Sequence, residues 1–157
     1  MESFKEIIDL FEKFDIVPMF NDIMKELSKE IIELNQIEQL AEGVDALDQR
    51  IRTISAEEQG GGQVYAAFTI QERRAQGLQT SNVDLKFDGV FWKTFKVVKV
   101  GNGWQVQANF NVHGEDIRNN FDSKYDFTGL TTNNLEVLVY DSIMPKLEKR
   151  IRTYFKI

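Results

Sequence analysis

Apolar and polar residues alternate without a break over positions 104–113. The two sets are Trp104, Val106, Ala108, Phe110 and Val112 against Gln105, Gln107, Asn109, Asn111 and His113. A period of two is typical of a half-buried antiparallel strand. With the apolar-rich run 95–100, it predicts a β-hairpin of strands 95–100 and 104–112, closed by a three-residue loop of Gly101, Asn102 and Gly103. The polar face carries mostly amides, which favours contact with a partner over catalysis.

Helical spacing dominates the N-terminal third of the chain. An amphipathic helix is predicted over 3–14, with Ser3 as its N-cap, and Pro18 then breaks the chain. Over 20–54 the apolar positions step mostly by three and four, which predicts a long second helix of roughly 50 Å at 1.5 Å per residue, with or without a break at Gly43. Its apolar stripe comprises Met24, Leu27, Ile31, Leu34, Ile37, Leu40, Val44, Leu47, Ile51 and Ile54. Such a helix serves either as an oligomerisation or docking arm or as half of an intramolecular helical hairpin.

A glycine-rich hinge at 60–63 divides a helical part, 1–59, from a strand-containing part, 64–157, within one predicted domain of 1–157. After the hinge, 64–68 is predicted as a strand, 70–75 as a helical turn or extended arm, and 76–83 as a loop.

A final helix is predicted to begin near Asn134. Either Thr131 or Thr132 caps it, and Pro145 kinks it or starts a new segment. Its predicted buried stripe comprises Leu135, Leu138, Val139, Ile143, Leu147, Ile151 and Phe155. The fold class is therefore α+β: a helical N-terminal layer with a long second helix, a small antiparallel sheet with a central hairpin, and a C-terminal helix.

Charge and composition argue against some classes of binding partner. The net charge of −6 argues against general or sequence-specific nucleic-acid binding, and no segment is apolar enough to predict a membrane partner. The charge is uneven, with 13 acids against 5 bases over 1–50 and five bases against one acid over 146–156. These two regions are expected to meet, either within one chain or between copies, unless both are simply solvated.

Side chains suited to catalysis or metal binding are sparse. The chain has no cysteine and one histidine, His113, for which a surface role at a strand end is predicted. The acids Glu115, Asp116, Asp122 and Asp126 lack the spacing of a calcium-binding loop. We therefore predict no catalytic residue, no metal, no cofactor and no enzymatic activity.

Basic and aromatic residues are interleaved in the middle of the chain. They are Arg73, Arg74, Lys86, Lys93, Lys96 and Lys99, with Phe91, Trp92 and Phe95. This mixture suits a platform for single-stranded nucleic acid, but burial of the aromatic rings in the core is the favoured interpretation.

The run DGVFWKTF at 88–95, followed by KVVKVGNGWQVQANF, resembles the tail-completion or head-to-tail joining proteins of tailed bacteriophages. IQERRAQG at 70–77 and the FTGL turn at 127–130, which leads into a helix, are also similar to that family. In the family motif Thr is commonest where this chain has Asp88, and Ser where it has Thr94.

The resemblance implies a structural virion protein of the neck or tail, synthesised in the host cytoplasm. It would form a homo-oligomeric ring, such as a hexamer or dodecamer, between portal or connector and tail proteins. Gly89 would allow a tight turn, and the aromatic residues Phe91, Trp92, Phe95 and Trp104 would fix the hairpin to the helical layer. The candidate interface residues are Arg73, Arg74, Gln105, Gln107, Asn109, Asn111, Lys149, Arg150 and Arg152.

Two alternatives remain open. One is an α+β module that binds a ligand or peptide without catalysis, for which a deep apolar pocket lined by Trp92 and Trp104 is expected. The other is an enzyme, for which acids with shifted pKa values would converge in a cleft.

Overall fold

The computed structural model describes residue 8, residues 11–60 and residues 62–157. The predicted helix over 3–14 lies largely outside these residues. The chain divides into two compact units. The first unit is Met1–Leu27 with Glu136–Ile157, and the second unit is Ser28–Leu135. A single domain remains a prediction.

Helices and two small antiparallel hairpins confirm the α+β class. The helices are α1 (Ile16–Glu26), α2 (Ser28–Asn35), α3 (Ile54–Gln59), α4 (Ala67–Ala75), α5 (Thr132–Val137) and α6 (Met144–Phe155). Wider π-helical segments follow α2 at Gln36–Leu40 and α5 at Leu138–Ile143, and 3₁₀ turns occur at Trp92–Thr94 and Ile117–Asn120. The strands are β1 (Lys96–Val100) with β2 (Gly103–Gln107), and β3 (Asn111–Val112) with β4 (Glu115–Asp116). No described helix has both the length and the apolar character needed to cross a membrane.

The predicted helix over 20–54 is shorter than expected. Helical structure is interrupted at Leu27 and ends at Leu40, and Gly43 takes a positive φ of 75°. The Asp45 carboxylate accepts hydrogen bonds from the backbone N–H groups of Leu47, Gln49 and Asp126, which stabilises a turn instead of a helix. Leu47 is consequently 58% exposed and does not continue a buried stripe. Ile37, on the π-helical segment, is also exposed.

The predicted strand at 64–68 is wrong. Val64, Tyr65 and Ala66 are buried, but they lie outside any strand, and α4 begins at Ala67. The Val64 carbonyl instead accepts the N–H of Thr53, so no sheet partner is needed for this backbone group. The helical alternative for 70–75 is confirmed, since this stretch belongs to α4.

The predicted hairpin is confirmed, with a shorter turn. Val100 pairs with Gly103, so the loop contains only Gly101 and Asn102, and Gly101 has the positive φ, 58°, that a type II′ turn requires at its first loop position. The strand predicted to reach 112 ends at Gln107, and β3 pairs separately with β4. The alternation of burial nevertheless continues over 104–113, with only Gln107 departing from it by being half-buried.

The core of the second unit is an apolar cluster. Its buried members are Leu40, Ile51, Val64, Tyr65, Val83, Phe91, Phe95 and Phe127. The buried amides of α2 and its π-helical extension bind the turn that follows Phe127: Asn35 and Gln39 both donate to the Gly129 carbonyl, and Gln39 accepts the N–H of Thr131. Thr131 in turn caps α5 through the N–H of Asn134, which confirms one of the two predicted caps.

The first unit pairs α1 with α6. The Phe11 and Phe155 rings stack with centroids 4.5 Å apart. Acidic residues of α1 face basic residues of α6, with Arg150 bonded to Glu26, and Lys146 3.8 Å from the same carboxylate. The expectation that the acidic N-terminal and basic C-terminal regions meet is confirmed within one chain.

The start of α6 follows the prediction. Met144 is its first residue, with Pro145 in the first turn, directly after the π-helical segment. The predicted buried stripe holds for Leu138 and Ile143, but Leu135 is 49% exposed.

Candidate functional site

A buried ion pair lies in the second unit. Helix α4 carries Arg73, whose Nη2 donates to both carboxylate oxygens of Asp84 at 2.9 Å, while its Nε donates to the Gln79 carbonyl at 2.8 Å. The Arg73 side chain is 3% exposed. The prediction of Arg73 as an accessible interface residue is therefore wrong, whereas its neighbour Arg74 is exposed.

Asp84 connects several separate segments. Its carboxylate also accepts from Gln79 Nε2, from the Lys86 backbone N–H and, at 3.5 Å, from the Tyr65 hydroxyl. Its backbone carbonyl accepts from the indole Nε1 of Trp92 at 2.9 Å. Asp84 thereby links α4, the loop before the 3₁₀ turn and the turn itself.

Tyr65 lies against this pair. The Arg73 guanidinium carbon is 4.7 Å from the centre of the Tyr65 ring, within range of a cation–π interaction. Burial, and secondly the negative charge of Asp84, raise the pKa of the Tyr65 phenol above its usual 10.0. The phenol therefore remains protonated at neutral pH and acts as a hydrogen-bond donor.

An apolar pocket of about 300 Å³ opens above these residues. Tyr65, Arg73, Val83 and Phe91, all buried, form its floor. Half-buried apolar side chains also line it, among them Leu85, Val112, Ile117 and Phe121. Neither Trp92 nor Trp104 is a lining residue, so the expectation for those two indoles is wrong for this pocket.

A tight turn at Asp88 forms part of the pocket's rim. The Asp88 Oδ1 accepts the Val90 N–H at 2.8 Å, and Gly89 has a φ of 79°, as the turn predicted there requires. The exposed His113 lies in the turn between β3 and β4, with Nε2 2.5 Å from Asp88 Oδ2. This hydrogen bond, assisted by the Val90 N–H, lowers the pKa of Asp88 below its usual 3.8.

The aromatic residues of the 88–95 run are directed into the core. Phe91 and Phe95 pack edge to face at 5.0 Å, and Phe91 contacts Phe110, just beyond β2, at 5.2 Å. The Thr94 hydroxyl accepts the backbone N–H of Asn109 at 2.9 Å. Core burial of Phe91 and Phe95 is thus confirmed, and these two rings are not available for stacking on nucleic-acid bases.

Most of the amide residues predicted for an interface are exposed. Gln105, Asn109 and Asn111 are exposed, Gln107 is half-buried, and Trp104 on the opposite face is half-buried. The side-chain Oδ1 of Asn109 accepts the backbone N–H of Asn111.

The basic residues predicted for an interface on α6 differ in their accessibility. Lys149 and Arg152 are exposed, and Arg152 bonds to Glu148 at 2.9 Å on the same helix. Arg150 is only 29% exposed and bonds to Glu26, with Asp22 3.9 Å away. Arg150 therefore acts within the first unit.

The acidic loop is internally paired. Asp116 bonds to Arg118, and Asp122 lies 3.6 Å from Lys124. Among the residues that the structure describes, no three His, Cys, Asp or Glu side chains form a group that could hold a metal ion.

The sequence interpretation missed Asp84 and Tyr65. The only local signal is that Asp84 stands between the apolar residues Val83 and Leu85. Comparisons of this chain with protein-family models, with curated proteins and with solved structures find no match. The geometry therefore shows a mainly apolar pocket over a buried ion pair, with the Asp88 carboxylate at its rim, beside a hairpin with an exposed amide face.

Proposed function

We propose that this chain is a non-enzymatic structural protein of a tailed-phage virion, which joins head to tail as a ring-forming tail-completion or neck protein. The observation that carries the proposal is the difference in burial between the two halves of the segment 88–111. Phe91 and Phe95 of the motif-like run are buried, whereas Gln105 on β2 and Asn109 and Asn111 beyond it are exposed to solvent. In this arrangement, buried aromatic residues anchor the segment in the core and exposed amides are available for contact with a partner.

Amide side chains suit a repeated contact between identical subunits. Each amide both donates and accepts hydrogen bonds, so two copies can pair without an unbalanced charge. A ring also requires a second, different surface on each subunit. The exposed basic residues Lys149 and Arg152 on α6 are the proposed second surface, and Arg150 is left out because its side chain is only 29% exposed and bonds to Glu26.

The first test is the absolute native mass of the purified protein, measured by light scattering over a wide concentration range. A defined hexamer or dodecamer is expected. The variant Gln105→Lys/Asn109→Lys places like charges on the amide face and is expected to dissociate the assembly. The matched control Glu58→Lys, on the exposed side of α3, should leave the mass unchanged.

A monomer at every concentration would contradict a self-assembling ring. An assembly that tolerates the double lysine variant would remove the hairpin face from the interface.

A binding module for a ligand or peptide is the second candidate function. The pocket of about 300 Å³ is the observation that favours it, because its volume falls in the range of ligand sites. An enzyme has weaker support. The carboxylate that lines the pocket is that of Asp88, and its pKa is lowered, which is opposite to the shift of a general acid.

A further inference from the structure

We infer that Asn102, at the tip of the β1–β2 hairpin, is a site of spontaneous covalent modification, where a succinimide forms and opens to aspartate or isoaspartate. The inference goes beyond the proposed function, since it requires neither ring assembly nor an occupied pocket. It rests on the glycine that follows Asn102, on the exposure of its side chain, on its place at the end of a strand ladder and on a contrast with Asp88.

The reaction needs only the chain and water. Asparagine is one of the chemically labile residues of proteins. The backbone nitrogen of Gly103 forms a bond with the side-chain carbonyl carbon of Asn102. The bond from that carbon to the side-chain nitrogen breaks, and this nitrogen leaves as ammonia with the proton that Gly103 gives up. Water then opens the imide, at the side-chain carbonyl to give aspartate or at the main-chain carbonyl to give isoaspartate.

Gly103 presents the reacting nitrogen with little steric hindrance. Asn102 is the one asparagine in the chain that a glycine follows. A larger residue would place a Cβ next to the attacking nitrogen, which glycine avoids. The space around Gly103 is open as well, since a Cβ built there would meet the Val100 carbonyl oxygen at 3.8 Å, an ordinary contact distance.

The Asn102 side chain lies in solvent at the turn. Gly101, Asn102 and Gly103 are all exposed, and none of the described residues hydrogen-bonds the Asn102 carboxamide. A carboxamide without such a bond can rotate toward the next backbone nitrogen. Other asparagine side chains of the second unit are held by hydrogen bonds, namely those of Asn35, Asn82, Asn109, Asn120 and Asn134.

The position of Gly103 at the end of the ladder sets the rate. Gly103 pairs with Val100 in the last rung of β1 and β2, and this rung must open before the nitrogen can reach the side chain. The end of a ladder opens more readily than its middle, because it has a neighbouring rung on one side alone. The turn therefore slows the reaction relative to an unfolded chain without preventing it.

Asp88 provides a comparison within the chain. It is the one aspartate that a glycine follows, and such aspartates form the same succinimide with loss of water. Its Oδ2 lies 2.5 Å from His113 Nε2, and its Oδ1 accepts the Val90 N–H at 2.8 Å. These contacts hold the carboxylate in place and lower its pKa, and a carboxylate is a much poorer target than a carboxamide. The structure therefore favours reaction at Asn102 and protects Asp88.

The products change the hairpin in two ways. Both replace a neutral amide with a carboxylate, so the tip gains a negative charge. Isoaspartate also adds one carbon to the main chain between Val100 and Gly103, and the length of the turn fixes the register of the strands. The isoaspartate form should therefore lose the rung between these two residues.

The experiment incubates the full chain at mildly alkaline pH and follows its tryptic peptides by mass spectrometry. Cleavage after Lys99 and Arg118 releases 100–118, which carries Asn102 together with Asn109 and Asn111. We expect the mass gain of NH₂ replaced by OH, assigned by fragment ions to Asn102, and a several-fold faster gain in urea. A folded chain whose Asn102 stays intact, or an equal gain at Asn109, would overturn the inference.

Two variants and a control test the chemistry. Gly103→Ala adds a methyl group beside the attacking nitrogen, at a position whose φ is not positive, and should slow the mass gain several-fold. Asn102→Gln keeps the carboxamide but requires a larger ring, which closes more slowly, and should remove the gain. Gln105→Ala, an exposed change on the same hairpin, should leave the rate unchanged. Equal rates in the native and Gly103→Ala chains would contradict attack by the Gly103 nitrogen.

The tryptic peptide 87–93 tests the protection of Asp88. Isoaspartyl methyltransferase should label 100–118 of the incubated folded chain and leave 87–93 unlabelled. After incubation in urea, 87–93 should also acquire label, because the contacts of Asp88 with Val90 and His113 are lost. Label in 87–93 of the folded chain at the level of 100–118 would contradict the selection by structure. None of these results depends on the native mass, which tests the ring separately.

Discussion

Arg73 and Asp84 form a buried ion pair in which one guanidinium nitrogen donates to both carboxylate oxygens at 2.9 Å. The side chains are only 3% and 10% exposed. Because water cannot replace a lost partner at this depth, the two residues depend on each other. Arg73 of this pair also lines the pocket.

Removal of one member of the pair should destabilise the fold strongly. Arg73→Met leaves the Asp84 carboxylate buried without its cation, and we expect a loss of about 3–5 kcal/mol in the free energy of unfolding. Arg73→Met/Asp84→Leu removes both charges and should cost less than the sum of the single changes. Urea unfolding of the three variants measures this coupling. Arg74→Met, an exposed change on the same helix, should stay within about 0.5 kcal/mol of the native chain. Additive losses would show that the pair is not coupled.

Tyr65 should resist ionisation in the folded protein. Its pKa is raised, so the folded state retains the phenolic proton when the unfolded state, with a pKa near 10.0, releases it. This contribution to stability is complete below the unfolded pKa and is lost as pH rises above it.

Ultraviolet absorbance at about pH 11 should therefore detect fewer tyrosinate groups in the native chain than after unfolding. Tyr65→Phe should lower the amplitude in the unfolded state only. A native Tyr65 that titrates at its ordinary pKa would contradict the burial of its hydroxyl.

The contact of His113 with Asp88 should be detectable through the pKa of the Asp88 carboxylate. The histidine hydrogen bond is the main cause of the lowered Asp88 pKa. His113→Asn keeps a residue that tolerates the positive φ of 53° at this position, but its side chain is too short to reach Asp88. Carboxyl-carbon NMR should show the pKa of Asp88 rising towards 3.8, whereas that of Asp116, which is lowered by Arg118, stays unchanged.

The sign of the accompanying stability change follows from the direction of the shift. A lowered folded pKa contributes stability that is present above the unfolded pKa and is lost as pH falls through the folded pKa. The advantage of the native chain over His113→Asn should therefore exist at about pH 5 and disappear at lower pH. An advantage that grows on acidification would be inconsistent with the contact.

Gly129 should be intolerant of a side chain. A Cβ at this position would lie 2.7 Å from the Cβ of Ala46, closer than two carbon atoms approach in a packed core. Gly129→Ala should cost about 1–3 kcal/mol through overpacking, measured by urea unfolding.

The compensating change Ala46→Gly removes the opposing methyl group. The double variant Gly129→Ala/Ala46→Gly should recover much of the loss, beyond the small penalty of the new glycine. Failure of this rescue would indicate that backbone conformation, rather than the clash, restricts Gly129.

Local patterns predicted several elements because each depends on neighbours in sequence. Alternation over 104–113 identified the hairpin, since its register needs only two adjacent strands and a turn. Thr131 marked a helix start because a cap acts within one helical turn. The α+β class followed from these periodicities.

Tertiary structure decided what those patterns left open. Apolar spacing continued past Leu40, but the carboxylate of Asp45 bonds a distant N–H at Asp126 and holds a turn there. The run 64–68 had the composition of a strand, but no strand in the part of the chain that the structure describes pairs with it.

The candidate site shows most clearly the difference between what local sequence patterns predict and what tertiary structure decides. Arg73 belongs to a hydrophilic helix, and its sequence neighbour Arg74 is exposed. The sequence pattern alone therefore could not predict that Arg73 is buried and Arg74 is not. Its burial depends on Asp84, eleven residues further on, whose carboxylate balances the charge only after the chain has folded. The sequence by itself determined the amphipathic segments and turns, because these depend on local backbone geometry. The pocket and its buried ion pair were decided by the tertiary structure, because charge desolvation depends on partners that only folding brings together.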